Sequence, residues 1–487
     1  MDIQFYGRKH ELSVLREDNW RNKSMLSAIY GRRRVGKTAL VEFAYKNDLL
    51  WKFDGIENAK TATQIQFFLK QLAHYSCPDV DLFASDWDEA FTLLNNQILS
   101  IEKNFSKKLV IFFDEFQWMC EMKGKLVSIF KYHWDNYLSK HPKCIFILCG
   151  SVSSFIVKKV IQSNSLYGRI DLEINLQPLS LTESHSFFKN TISEKNFIET
   201  YMVFGGIPQY LLELNPRMSL MQNLNEYAFK PTGFFFNEFN RLFISHFASN
   251  TIYEKILKNL SKGKLYISEL AKKCNVSSGG NFTERLHDTE LAGFISKQIP
   301  VDKEDDSRLI KFCINDEFLH FYFRFIAPNS SKIVNGHFSF NRLLKIRDYN
   351  QWQGLAFERL CQKHSKQIAE YQRFSAVDYK AGSWFKRANY LRGAQVDLVF
   401  VRADKILTAC EIKYSSNLKP ASIINAFEQK CKALQQSFPM YAIEKVLILG
   451  KTGTKNLNLK SYFDHILMAN ELFDCYNAHG DENFGSF

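Results

Sequence analysis

Met25-Leu26-Ser27-Ala28-Ile29-Tyr30-Gly31-Arg32-Arg33-Arg34-Val35-Gly36-Lys37-Thr38-Ala39 is the stretch that decides the fold of the first part of the chain. The apolar run Met25 to Tyr30 reads as a buried strand, the glycine-bounded segment as a loop, and Ala39 to Ala44 as the opening of a helix. A GxxxxGK[ST] pattern between strand and helix is the setting of a phosphate-binding P-loop, and a chance glycine-rich turn does not account for that order. Gly31 and Gly36 free the backbone to wrap phosphates with its N–H groups. Lys37 neutralises their charge, Thr38 can ligate Mg²⁺, and the next helix aims its positive end at the same point. The expected nucleotide-binding set is Gly31, Arg34, Val35, Gly36, Lys37, Thr38 and Ala39, and the expected ligands are ATP and Mg²⁺.

Working outward, Leu109 to Phe113 is a second apolar run and ends on Asp114-Glu115, and Cys144 to Leu148 is a third and ends on Cys149-Gly150-Ser151. Helix-like segments separate the three, which predicts an α/β parallel sheet with polar residues gathered at one edge. A nucleoside triphosphatase needs a carboxylate at a buried strand end for its metal and a second to polarise water; Asp114 and Glu115 fit these roles, a solvated pair after a core strand being the plainer alternative.

The chain has 487 residues, so about three domains at roughly 150 residues each is the prior. With 46% hydrophobic and 23% charged residues it can bury real cores, which excludes disordered and fibrous classes. The net charge of +12 permits a polyanionic partner without requiring one. Ten widely spaced cysteines with no CxxC pair read as reduced thiols. Met1 to Arg8 lacks the regions of a signal peptide, and no apolar run reaches the roughly 20 residues of a membrane span, so a cytoplasmic protein without membrane contact is expected.

Beyond about residue 175 the strand signal fades into amphipathic helices broken at Gly205-Gly206 and Pro208, read as a helical lid over 176–245. Within 246–330, three short helical patterns (Tyr253 to Leu260, Ile267 to Cys274, Phe282 to Leu291) precede Gly293-Phe294-Ile295 and a charged tip, Asp302 to Arg308. That order is winged-helix-like. A third, α/β domain is expected over 335–475, with a helix near Trp352 to Lys363 and strands at Ala394 to Val401 and Ile406 to Tyr414, followed by a frayed tail, 476–487. The ATPase core then spans 1–175.

These residues resemble the prokaryotic AAA+ ATPases of the archaeal-type group. Phe5, Gly7, Arg8, Glu11 and Leu12 match its Phe-x-Gly-Arg-x-x-Glu-Leu box, and Gly205-Gly206-Ile207-Pro208 looks like the turn of its lid. The resemblance implies that the box lies against adenine, that Ser151 is a polar sensor at the end of the third strand, and that Arg169 in Leu166-Tyr167-Gly168-Arg169 is an arginine finger acting within a homo-oligomer.

The winged-helix segment allows two readings, DNA contact or a packed spacer. Glu284, Asp288 and Glu290 against Arg285 and His287 are a poor charge for lying along phosphates, whereas Lys272, Lys273 and Lys297 lie nearby. The C-terminal segment carries Glu358, Gln395-Val396-Asp397 and Glu411-Ile412-Lys413. Alternation puts Glu411 and Lys413 on one face of their strand, within reach of Asp397 across a short hairpin, where two carboxylates and an ammonium could hold metal against a phosphodiester. A surface salt-bridge cluster is the competing reading.

This pattern resembles the PD-(D/E)xK nuclease core, and with Trp384-Phe385-Lys386-Arg387 it is similar to the nuclease-like domain, of the DUF234 type, commonly fused to this ATPase group. Gln395 stands where many members carry an acid. The implied metal ligands are Glu358, Asp397 and Glu411, with Lys413 beside the attacking oxygen. The expectation is therefore a P-loop AAA+ sheet with helical lid, a winged-helix module and a nuclease-like α/β domain: an ATPase coupled to a DNA nuclease, with defence against foreign nucleic acid as one setting. A nucleotide-switched regulator whose nuclease fold is inactive remains the alternative.

Overall fold

The computed structural model describes residues 5–17, 23–76, 80–102, 107–120, 125–151, 155–163, 165–188, 191–247, 251–303, 310–343, 347–386, 394–451 and 457–473. Of the sequence readings, Met1 to Gln4, most of the tip Asp302 to Arg308, Arg387 and the tail lie outside them. The chain divides into two compact units, Met1–Pro178 with Leu291–Gly293, and Leu179–Glu290 with Phe294–Phe487.

The first unit is an α/β layer structure around five parallel strands: β1 (Met25–Tyr30), β2 (Leu49–Asp54), β3 (Leu109–Asp114), β4 (Cys144–Gly150) and β5 (Leu172–Asn175), in the order β2-β3-β4-β1-β5. β3 and β4 are buried along their whole length, as continuous apolar runs covered on both faces must be. The apolar runs of the sequence mark β1, β3 and β4, whereas β2 and β5 carry no such mark. Leu-Leu-Trp-Lys-Phe-Asp interrupts its apolar run with Lys52, and Leu-Glu-Ile-Asn is too short and polar to announce an edge strand.

Phe113 is the hub of the core. Its ring centroid lies 5.5 Å from Phe53, 5.9 Å from Phe130, 6.0 Å from Phe116 and 6.3 Å from both Phe68 and Phe91, edge-on to Phe91, Phe116 and Phe130 and stacked with Phe53 and Phe68, the arrangements aromatic quadrupoles favour. Because neighbours along a strand point to opposite faces, anchoring Phe113 on one side fixes the direction of Asp114 on the other. The carboxyl ends of β1, β3 and β4 then share one edge, where the loop after each strand carries its polar residues.

In the second unit, helices Glu194–Phe204 and Pro208–Glu213 flank the Gly205-Gly206 turn, where Gly205 has φ 63° and a side chain would meet the Glu317 carboxylate. Helices Thr251–Leu260, Ile267–Cys274 and Gly280–Leu291 fall within a residue or two of the three patterns read from sequence, and a small antiparallel sheet accompanies them. Its strands are β6 (Leu265–Tyr266), β7 (Ile295–Gln298) and β8 (Lys311–Ile314), in the order β6-β8-β7.

The C-terminal sheet is mixed. Its strands are β9 (Tyr379–Lys386), β10 (Ala394–Arg402), β11 (Ile406–Lys413), β12 (Ala442–Leu449) and β13 (His465–Met468), in the order β13-β12-β11-β10-β9. β9, β10 and β11 pair antiparallel, and β11, β12 and β13 pair parallel. Helix Pro420–Ser437 is the crossover that a parallel β11–β12 pair requires, and it seals one face with Ile423, Phe427, Cys431 and Leu434. Helix Arg347–Lys363 contacts β10 and β11 and brings Glu358 to them.

Candidate functional site

The P-loop turns between β1 and helix Lys37–Ala44. Gly31 has φ 149°, and a Cβ there would lie 2.4 Å from the carbonyl oxygen of Leu176, which β5 delivers alongside, so any other residue would push the loop open. Gly36 (φ 90°) and Arg34 (φ 74°) take left-handed conformations that turn the chain into the helix. Lys37 is buried, and its Nζ donates to the carbonyls of Gly31 at 3.0 Å and Arg32 at 3.1 Å, so the ammonium sits inside the loop it serves.

The N-terminal box lies against this loop. Arg8 Nη2 donates to the Val35 carbonyl at 3.1 Å while Nη1 pairs with Glu11 at 3.1 Å, and Phe5 stacks on Phe43 of the P-loop helix at 4.4 Å and 8°.

At the end of β3, Thr38 Oγ1 donates to Asp114 Oδ2 at 2.6 Å. Burial raises the Asp114 pKa above the usual carboxylate value, against the lowering effect of the Thr38 bond and of Lys52. A hydroxyl and a carboxylate joined beside a phosphate loop are a hard-oxygen donor set suited to Mg²⁺, which commonly takes one or two protein oxygens and keeps waters. Glu115 is left-handed at φ 49°, a costly conformation for a non-glycine residue and one found where geometry serves a site. Its Oε2 accepts from Ser151 Oγ at 2.7 Å and Ser151 N at 3.3 Å, and the Gln117 amide also reaches it. Glu115 and Ser151, read separately from sequence, form one hydrogen-bonded group.

Two residues here went unnoticed in the sequence. Lys52 Nζ lies 3.6 Å from Asp114, 3.4 Å from Asp54 and 3.2 Å from Glu42, and a lone cation between Trp51 and Phe53 in a strand was the available signal. Gln117 bridges Glu115 and Ser151 and carried no signal. Arg169 is held by both oxygens of Asp135, Nε to Oδ1 at 2.6 Å and Nη2 to Oδ2 at 2.9 Å.

In the C-terminal sheet, the registered β10–β11 pairs end at Leu398 with Cys410; Asp397 is the next residue of β10, at an irregularity between Val396 and Val399, and Glu411 is the next residue of β11. Both are buried. Asp397 Oδ1 accepts from Gln395 Nε2 at 3.0 Å, and its backbone carbonyl accepts from Gln362 Nε2 at 2.8 Å. Glu411 carries an ion pair on each oxygen, to Lys413 at 2.6 Å and to Lys430 at 2.8 Å. Burial, then the Asp397 charge, pushes the Glu358 pKa up to about 7, with Lys413, Lys264 and Lys430 opposing.

Glu358 therefore feels the charges of Asp397 and Lys413, while Glu411 is ion-paired with its two lysines. Among the described residues no group of three or more His, Cys, Asp or Glu is placed to hold a metal ion, so the expected trio is not assembled. The pair Glu358 and Asp397 is the donor set that remains, sufficient for a largely hydrated Mg²⁺. Lys430 and Gln362 were missed because each comes from a helix whose facing partner only the tertiary fold reveals. Also among the described residues, no helix is long and apolar enough to cross a membrane.

Residues 5–214 match the family described as an ATPase domain predominantly from Archaea, and residues 322–425 match a family of archaeal and bacterial proteins of unknown function, DUF234. An uncharacterized protein of Methanocaldococcus jannaschii is 28% identical over 415 residues, covering 84% of this chain and 87% of that protein. Among solved structures, the Walker-type ATPase of Pyrococcus abyssi aligns with 19% identity and a TM-score of 0.47, over 66% of this chain and 96% of that one. The Aeropyrum pernix ORC2 protein, solved as ADPNP and ADP complexes, aligns with 13% identity and a TM-score of 0.44, over 67% and 96%.

Proposed function

We propose that this P-loop ATPase domain binds and hydrolyses ATP and drives a C-terminal domain that cuts nucleic acid. The observation carrying the first half is the contact between Thr38 and Asp114, which joins the P-loop to the acidic strand end at the point where a nucleotide's metal is held. The backbone N–H groups from Gly31 to Ala39 and the Lys37 ammonium bind the triphosphate. Thr38 and Asp114 hold Mg²⁺, which draws charge from the phosphate oxygens when bound. Glu115 orients and deprotonates the attacking water, and Ser151 sets the position of its carboxylate. ATP turnover by the full chain, compared with Lys37→Ala, tests this half.

For the second half, Glu358 and Asp397 are the Mg²⁺-holding pair and Lys413 the cation beside the reacting phosphodiester. Support comes from the convergence of helix Arg347–Lys363, β10 and β11 on one face. A second reading, a nucleotide-switched regulator with a silent nuclease fold, is favoured by the double ion pair that occupies Glu411. Mg²⁺- or Mn²⁺-dependent cutting of a panel of DNA and RNA substrates, with and without ATP, separates them: cutting that Asp397→Asn removes establishes the nuclease, and none under any condition leaves the regulator.

A further inference from the structure

Beside the C-terminal carboxylates, a recess of about 350 Å³ opens between the small three-stranded sheet and the β9–β10 edge of the C-terminal sheet. Lys264, just before β6, Lys311 of β8 and Lys386 of β9 line it, with Gln298, Gln395 and Phe385. Among the described residues no acidic side chain lines it, and none of the three lysines has a carboxylate within ion-pair distance. The Lys311 ammonium lies over Phe385 at 4.7 Å and Tyr266 at 4.9 Å, and Lys386 Nζ donates to Gln436 at 3.1 Å. Three cations converging on a concave, accessible surface repel one another and leave a surplus that an anion satisfies.

The recess is wired to Asp397. Gln395 lines it and donates to Asp397 Oδ1 at 3.0 Å. Gln298, also lining, donates to Gln362 at 3.3 Å, and Gln362 donates to the Asp397 carbonyl at 2.8 Å. An anion seated here lies one side chain away from the acidic pair.

We propose that this recess holds the phosphate backbone of a single-stranded nucleic acid and leads it to Asp397, so that the winged-helix-like segment serves the C-terminal site through Lys264 and Lys311 and not through its third helix. The inference rests on the nucleic-acid reading of that domain. Its volume is at the small end of ligand sites, about 300–1,000 Å³, which suits one strand, whereas a duplex groove alone is about 12 Å across. An aromatic ring among cations is the combination that binds single strands, by base stacking and phosphate neutralisation. The intended helix is poorly suited: Asp288 is engaged with the Tyr253 hydroxyl at 3.2 Å, and Lys297 is paired to Glu290 at 3.0 Å.

The test is binding of a fluorescent 20-nucleotide single strand by the full chain with metal chelated, so that affinity is read without cleavage. The triple variant Lys264→Gln, Lys311→Gln, Lys386→Gln should bind about tenfold or more weakly at moderate salt, and its log K against log salt slope should flatten by about 2, at roughly 0.7 per phosphate. ATP turnover and the thermal unfolding of the variant should match wild type. Unchanged affinity in the triple variant overturns the inference, as does a loss that follows Lys272→Gln and Lys273→Gln instead. Equal affinity for blunt duplex excludes the single-strand path, and full displacement by millimolar inorganic phosphate reassigns the recess to a small anion. Normal binding by wild type that never cuts, with metal restored, defeats the nuclease reading and leaves this one standing.

Discussion

Thr38 Oγ1 and Asp114 Oδ2 meet at 2.6 Å, so the P-loop and the end of β3 are one structural group. Lys37→Ala removes the buried ammonium and should abolish ATP turnover. Glu115→Gln preserves the shape held by Ser151 and removes only the base, so it should retain bound ATP while turnover falls roughly 10²- to 10⁴-fold. Nucleotide affinity by calorimetry beside steady-state turnover reads the two effects apart, and equal turnover in wild type and Glu115→Gln would remove Glu115 from the mechanism.

Arg169 is engaged by Asp135 on its own chain, which also carries Lys131 at 3.1 Å. The Arg169 hydrogen bond is the largest influence keeping Asp135 ionised to lower pH than usual. If Arg169 completes a neighbour's site it must leave this carboxylate, so Asp135→Asn should raise turnover per protomer, and turnover should climb with protein concentration. Arg169→Ala should remove that climb. Turnover per protomer that is flat across concentrations, in a protein monomeric by sedimentation, would confine Arg169 to its pairing with Asp135.

The sheet edge bearing the nucleotide site was legible because P-loop chemistry is local: spacing alone places Gly31, Gly36, Lys37 and Thr38, and buried parallel strands announce themselves as apolar runs. Lys52 and Gln117 were not legible, since their partners Asp114 and Glu115 are brought to them by strand pairing and by a left-handed turn. In the C-terminal domain the pattern put Asp397 on one strand and Glu411 and Lys413 on the strand paired with it, as β10 and β11 are. It gave no hint that Lys430, from the crossover helix, shares Glu411 and alters what that carboxylate can do.

Glu411 is buried between two ammonium groups, so breaking the arrangement from its centre leaves uncompensated charge. Glu411→Gln leaves two partly exposed ammonium groups without their partner and should lower stability by about 1 kcal/mol, measured by urea unfolding. Lys430→Ala frees one oxygen and should strengthen Mn²⁺ binding in calorimetry by a margin that Asp397→Asn abolishes. A Glu411→Gln protein as stable as wild type would mean that the pairs contribute little, and Mn²⁺ affinity indifferent to Lys430 would exclude Glu411 from any metal site.

His364 in the second unit is locked as a neutral imidazole: its Nδ1–H donates to the Leu360 carbonyl at 2.9 Å, and its Nε2 accepts from the Leu181 N–H at 3.2 Å. Protonating Nε2 would set two N–H groups against each other in a buried site. Burial lowers its pKa below the usual 6.5, and burial followed by the Arg359 charge lowers that of His320 much further. Both groups are depressed in the folded state, so their stabilisation is complete above the unfolded value of about 6.5 and is lost as pH falls below it, because the unfolded chain then takes up protons the folded chain refuses. A group whose folded pKa lies far below the unfolded one contributes a slope approaching roughly 1.4 kcal/mol per pH unit between the two values, so His320 contributes more of the loss than His364. Glu358, whose pKa is raised to about 7, acts in the opposite sense, its penalty easing as pH falls, so the difference between wild type and variants carries the information. Urea unfolding from pH 8 to pH 5 should show the wild type losing stability relative to His320→Gln, His364→Gln as the solution is acidified. Parallel curves for the two proteins across that range would mean that the imidazoles titrate freely and that the Leu181 contact does not hold the tautomer.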